Sequence, residues 1–372
     1  MLTHDFNPLL DGPAYPAERY ARLADRLKSL LKTGSDVVFV QAEAVLALEA
    51  VAASIARPGL VAINIVTSPY GRYFGDWLGR GGVAVHDVIG EPGQPIAADA
   101  VKTAARTLGP IDIIAVVHGE AATGAVNPLA DIAGIARTTG AILVVDAVAS
   151  VGAHALDIDA LGIDIATIGP QKALGGPAGL SAVAVNARAW HHIAAVTRAG
   201  PAGTSPSSLS LANLKENWLD RGRGALPGTP APLEFWALEA ALDRVDAEGL
   251  ERRIARHERA ARACRAGLRA LGIEPWVADD RAASALITAA PVPTGCDAAA
   301  LIAAAAEFGV TLGRGFGEIS EQLVRLDHTG IRAEFGCVLA TVVGYGAALA
   351  KFGVAVDVGA AAAAIAATYA AA

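Results

Sequence analysis

The chain has 372 residues, of which 53% are hydrophobic and 18% charged, with a formal net charge of −7. That length suits two domains, one of them large; the apolar content excludes a disordered chain, and the acidic balance argues against a nucleic-acid backbone as partner. Three cysteines, Cys264, Cys296 and Cys337, are odd in number and lack metal spacing, as expected of a reduced cytoplasmic compartment.

Residues 1–15 are broken by Asp5, Pro8, Asp11 and Pro13 and do not read as a secretory signal. Tyr20, Leu23, Leu27, Leu30 and Leu31 then recur at helical spacing and predict a helix over 17–32, stopped by Thr33-Gly34-Ser35. A short run, 37–40, leads through Gln41-Ala42-Glu43-Ala44 into a predicted helix over 45–55. Strand, polar turn and helix start in that order often form an anion site, because the first amides of the helix are free.

Strand-like runs follow at 61–66, 82–88, 111–117, 141–145, 163–168 and 181–185, with helices expected over 73–79, 97–108 and 128–138. Such alternation predicts a mostly parallel sheet covered by helices on both faces. Residues 200–229, rich in Pro, Gly and Ser, read as loops around a short helix. A helix over 232–247 precedes a basic one over 251–271, and the domain boundary is placed between residues 248 and 249. Beyond it, strands at 284–289, 310–312 and 323–326 with a helix at 297–308 predict a small α+β domain. The alanine-rich tail from Val358 is helical but too weakly apolar to span a membrane, so a soluble, cytoplasmic protein is expected.

Two residues carry the chemistry. Asp146 closes the apolar run 142–145, where a parallel strand delivers its carboxylate to the ligand-binding edge of the sheet. Lys172, 26 positions later, follows the run 163–168 and Gly169-Pro170-Gln171, among small residues that leave room for a ring. A carboxylate facing a pyridine nitrogen keeps it protonated, and a lysine opposite can form an imine and shuttle a proton. His118, at the end of the run 113–117, is a further candidate for ring contact or acid catalysis. His154, His191 and His192 have no partners at ligand spacing, so no metal is expected.

The segments VVDAVASVGA, GIDIATIGPQKAL, VHGEAATGAVNPL and ALEAVAAS together resemble the class V aminotransferases of fold type I, over about residues 37–330. The resemblance implies a large domain with a mostly parallel sheet, a smaller C-terminal α+β domain, small-molecule substrates, and a homodimer or higher homo-oligomer. It places Asp146 at the ring nitrogen, Val148 on one ring face, Tyr70 stacked on the ring and Lys172 as the Schiff-base lysine. Gln171 and Thr229 fall where relatives hydrogen-bond a phosphate.

The departures are as informative. Where the family has a small hydroxyl residue or glycine at the cofactor phosphate, this chain has Glu43; where it has a phosphate-binding tyrosine, this chain has Leu226. A carboxylate there repels a dianion. The pattern resembles the branch of the family that takes pyridoxamine and pyruvate to pyridoxal and L-alanine in vitamin B6 degradation, with Glu43 accepting from a free hydroxymethyl group. That implies that no tightly bound phosphate cofactor is needed. The same resemblance marks Arg314 and Arg325 as carboxylate-binding arginines, without deciding between them. Ala121 replaces a ring-hydroxyl-binding Ser or Thr, which Thr123 could supply. The alternative is a pyridoxal-phosphate-dependent alanine/serine–glyoxylate or –pyruvate aminotransferase.

Overall fold

Six of the sheet-forming runs are short, apolar and β-branched, bounded by polar turns, and that composition drives them into the interior on both faces. In the computed structural model, which describes residues 12–199, 207 and 209–371, the seven strands are β1 (Asp36–Val40), β2 (Val61–Val66), β3 (Ala84–Ile89), β4 (Ile113–Val117), β5 (Ile142–Asp146), β6 (Ile165–Ile168) and β7 (Ser181–Val185), of which β3, at the edge, is the largely exposed one. The order is β1-β7-β6-β5-β4-β2-β3, with β7 antiparallel to both neighbours and the other pairings parallel.

Helices α1 (Ala17–Leu30), α2 (Ala44–Ile55), α3 (Pro69–Arg80), α4 (Ala98–Leu108), α5 (Leu129–Thr139), the short α6 (Ile158–Leu161) and α7 (Ala187–Ala199) connect and flank the strands. α3 begins four residues earlier than its periodicity predicts, because the Ser68 hydroxyl accepts from the Tyr70 amide and Pro69 opens the first turn. α7 carries no element in the sequence reading; only Ala189, Trp190 and Ile193 of its face are buried, too few to register as a stripe. Within 200–229, residues 200–206 and 208 lie outside the described residues. The rest holds the short α8 (Leu211–Leu214), which runs into a single π-helical turn, Lys215–Leu219.

α9 (Pro232–Glu248) packs Phe235 and Leu238 onto the first core, where Tyr20 and Phe39 meet Phe235 edge-on at 4.7 and 5.3 Å. α10 (Leu250–Ala270) leads into a smaller C-terminal domain: β8 (Ile287–Pro291), α11 (Ala298–Glu307), β9 (Gly313–Arg314), β10 (Leu323–Asp327), α12 (Phe335–Lys351) and α13 (Val358–Ala370). Its sheet is antiparallel, β8-β10-β9. The strand expected at 284–289 starts at Ile287 instead, because Ser284 is spent on a turn: its amide donates to Gly124 O and its hydroxyl accepts from Leu286 N. The strand expected at 310–312 is not one. Val310 and Leu312 are buried, Val310 against Gly344 of α12, and ladder pairing starts only at Gly313. Among the described residues no helix is long and apolar enough to cross a membrane.

The base of the large sheet is held by one carboxylate. Asp164 is buried, accepting from Leu143 N, from Asn186 Nδ2 and from Arg188 Nε, each at 2.8 Å. It therefore ties β5, β6 and β7 together opposite the edge where Asp146 and Lys172 sit. Asp164→Ala is expected to lower stability by ~2–3 kcal/mol, since it leaves the buried Leu143 amide without an acceptor and removes the partner of Asn186 and Arg188. Urea unfolding measures this, and a loss below about 1 kcal/mol would contradict the stapling role.

Candidate active site

The sheet register sets the site. Val117, Asp146 and Thr167 lie side by side at the C-terminal ends of β4, β5 and β6. The chain leaving β6 returns directly as antiparallel β7, without a crossover helix, so the loop carrying Lys172 stays at that edge. Gly169 makes the turn possible: a Cβ there would come within 2.6 Å of Val148 and 2.7 Å of Gln171.

A small cavity of ≈ 40 Å³ at this edge is walled by Glu43, Tyr70, Asp146, Val148 and Lys172, with Gly119 and Ala121 closing one side. Lys172 also borders a larger cleft of ≈ 690 Å³ towards the C-terminal domain, with Gln171, Arg244 and Arg325. Asp146 Oδ1 accepts from the Val148 amide at 2.9 Å, which leaves Oδ2 for a ligand. Burial pushes the Asp146 carboxyl up to about 6; the Val148 amide and the Lys172 charge pull it down, and Glu43 adds to the rise. Burial also raises the Tyr70 phenol. The Tyr70 ring is stacked at 5.5 Å on Phe316 from the C-terminal domain.

Glu43 is the N-cap of α2. Its Oε2 accepts from the Val45 amide at 2.8 Å, and its Oε1 accepts from Gln171 Nε2 at 2.9 Å. The anion place at the start of this helix is thus taken by the chain's own carboxylate, which is in turn joined to the Lys172 loop.

The remaining candidates separate. Arg325 reaches the Lys172 cleft, held by Arg314 O and Ala121 O at 2.8 Å each. Arg314 is exposed and its guanidinium is ion-paired with Glu321. His118 is buried beside His154, ring centroids 5.8 Å apart, while its neighbours Val117 and Gly119 form the cavity wall. Burial, with a smaller contribution from His154, lowers it to about 3, so it is neutral near pH 7. Thr123 borders a different cavity, with Ser68 and Trp276. Thr229 is exposed and outside the cavity wall, and Leu226 is buried in the first core. Among the described residues no group of three or more His, Cys, Asp or Glu is arranged to hold a metal ion.

One buried acid was not singled out in the sequence, although it stands three residues past the end of an apolar strand. Glu120 is fully buried, takes a hydrogen bond from Thr67 Oγ1, and leaves Oε2 without a partner. Burial raises its carboxyl to about 7, against the Ser68 and Thr67 hydroxyls, and Asp146 contributes to the rise.

The sequence model of the class-V aminotransferases matches residues 18–340. The chain is 34% identical over 331 residues to pyridoxamine–pyruvate transaminase of Mesorhizobium japonicum, covering 89% of this chain and 83% of that protein. The crystal structure of pyridoxamine-pyruvate aminotransferase from Mesorhizobium loti superposes with a TM-score of 0.89 at 31% identity, over 100% of this chain and 92% of that one. Ureidoglycine-glyoxylate aminotransferase from Bacillus subtilis superposes with a TM-score of 0.88 at 26% identity, over 97% and 93%. These findings correct one expectation. Class V aminotransferases are pyridoxal-phosphate enzymes, so the reading that no tightly bound cofactor is needed does not stand. The ring end of that group fits Asp146 and Lys172. The phosphate end meets Glu43, and the residues there do not fit a dianion in the observed arrangement.

Glu120 gives a pH test. Its carboxyl ionises near 4.5 when unfolded and near 7 when folded, so the folded chain keeps the proton over that window and stability falls as pH rises through it. Glu120→Gln keeps the shape without the charge. Its stability relative to the wild type should rise by ~1–3 kcal/mol between pH about 4.5 and about 8, read by urea unfolding at each pH. A constant difference would contradict the assignment.

Proposed function

The chain belongs to the class-V aminotransferases, and on that premise we propose that it transfers the amino group of pyridoxamine to pyruvate, yielding pyridoxal and L-alanine, a step of vitamin B6 degradation. The observation that carries this reading is Glu43, capping α2 at the rim of the cavity that holds Asp146 and Lys172. A carboxylate accepts from a hydroxyl but repels a phosphate, so a ring bearing a free hydroxymethyl group matches it.

A protonated pyridine ring bound there would supply an electron sink for a carbanion at the amine-bearing carbon. The chain's residues serve that chemistry. Asp146 Oδ2 holds the proton on the ring nitrogen while Oδ1 stays on the Val148 amide. Lys172 Nζ is the ring-binding amine and, once displaced, the base that moves the proton. Tyr70 and Val148, both in the cavity wall, would flank the ring. Arg325 takes the pyruvate carboxylate in a fork, facing the Lys172 cleft, and Arg314, engaged by Glu321, is secondary.

A second reading is a pyridoxal-phosphate-dependent alanine/serine–glyoxylate or –pyruvate aminotransferase. It is favoured by the likeness to the glyoxylate aminotransferase of Bacillus subtilis and by Glu43 being exposed, free to turn away from a phosphate bound by Gln171 and Thr229. In either reading we propose a cytoplasmic homodimer or higher homo-oligomer; Leu46, 43% exposed on α2 close to Glu43, offers an apolar contact for a second copy.

Purified protein given pyridoxamine and pyruvate should form pyridoxal and L-alanine in equal amounts, and Lys172→Ala should abolish this; product from the variant would sink the assignment. Arg325→Ala should raise KM for pyruvate about tenfold or more with KM for pyridoxamine little changed, and Arg314→Ala should do much less. The reverse order would move the carboxylate site to Arg314.

A further inference from the structure

The stretch after Lys172 has no helix or strand of its own to hold it, yet its carbonyls are taken one after another. Arg253, 4% exposed on α10, donates from Nε and Nη2 to Ala173 O at 2.9 and 2.6 Å and from Nη2 to Leu174 O at 3.0 Å. Arg244 on α9 donates to Gly175 O at 2.8 Å. The remaining arm of Arg253, Nη1, meets Glu248 Oε2 at 2.6 Å.

Glu248 then connects to a second loop. Its Oε1 accepts from Arg256 Nε at 2.6 Å, and Arg256 Nη1 donates to Gly330 O at 2.7 Å. His257 Nε2 accepts from Gly330 N at 3.0 Å, while its Nδ1 donates to Arg253 O at 2.8 Å. Gly330 follows β10, the strand that carries Arg325, and a Cβ on it would lie 3.6 Å from Lys172 O. Positions 253, 256 and 257 share one face of α10, so one helix face grips both the lysine loop and the end of the arginine strand.

We propose that the Glu248–Arg253–Arg256 cluster is a positioning device that sets Lys172 against Arg325, and so aligns the ring-binding amine with the carboxylate of the acceptor. This rests on the reading of Lys172 and Arg325 given above. Arg253 serves two carbonyls and a carboxylate at once, which a lysine ammonium on a flexible stem cannot reproduce in the same fork. A plain structural tie would show in stability alone. A positioning role shows in the rate at which Lys172 reacts, because small misplacements of a reacting group cost far more rate than stability.

The test compares wild type, Arg253→Lys and Glu248→Gln by rapid mixing with pyridoxal and, separately, with pyridoxal phosphate, following the absorbance of ring captured at Lys172. Lys172→Ala defines the blank, and steady-state kinetics accompany the mixing. We expect capture rate and kcat of the folded protein to fall about tenfold or more in both variants, beyond what their lowered unfolding temperature accounts for, with KM for pyridoxamine within about twofold. Wild-type rates in a folded Arg253→Lys, or losses no greater than the folded fraction lost, would overturn the positioning role while leaving the proposed function intact. Should Arg253→Lys fail to fold, Glu248→Gln decides by the same rates. Capture of neither aldehyde by the wild type would overturn both the function and the inference built on it.

Discussion

The first amides of a helix hold one negative charge well, and in this chain those of α2 hold the carboxylate of Glu43. Attraction to a helix terminus is worth about 0.3–1 kcal/mol at an exposed site. Repulsion between two close unit charges at an effective dielectric of about 20 amounts to about 4 kcal/mol, so the second anion loses. In the proposed reading that end of the cavity takes a hydrogen-bond donor, because Glu43 holds the helix start in the observed arrangement. Gln171, next to the ring-binding lysine, spends its amide nitrogen on Glu43. One hydrogen bond thus joins the start of α2 to the loop that carries Lys172.

The rest of the site follows from topology. Level strand ends put Asp146 beside Val117 and Thr167, and the antiparallel return into β7 keeps Lys172 over the same edge. The C-terminal domain supplies Arg325, and Phe316 backs Tyr70. Burial then tunes the groups: Asp146 is raised towards about 6 before a ring nitrogen arrives, and His118 is held neutral. A carboxyl in that position becomes fully ionised once a protonated pyridine faces it, so ligand charge and site charge reinforce one another.

Much of this was legible in the sequence because it depends on local pattern. Asp146 and Lys172 each follow an apolar run, so strand ends located both; Glu43 stood out only as a departure from the family's pattern. Where the sequence reading failed, long-range contacts decide. Arg253 and Arg256 lie in a helix that reads as basic and solvated, and only the fold brings carbonyls 80 residues earlier in the chain against Arg253. Glu120 stands in the turn after β4, and only the fold brings the Thr67 hydroxyl against it. Val310 and Leu312 alternate like a strand, but Val310 packs against Gly344 of α12 and the ladder begins beyond them. Thr123 sits two residues from Ala121 in sequence, yet the turn through Gly124 carries it to another cavity.

Whether Glu43 selects the ring substituent is tested most directly by the ratio of kcat/KM for pyridoxamine to that for pyridoxamine phosphate, with pyruvate as acceptor, in wild type and in Glu43→Ala. A ratio well above one in the wild type that falls by about tenfold or more in the variant is the expected result. A wild type that prefers the phosphorylated amine, or a ratio unmoved by removing the carboxylate, would contradict it.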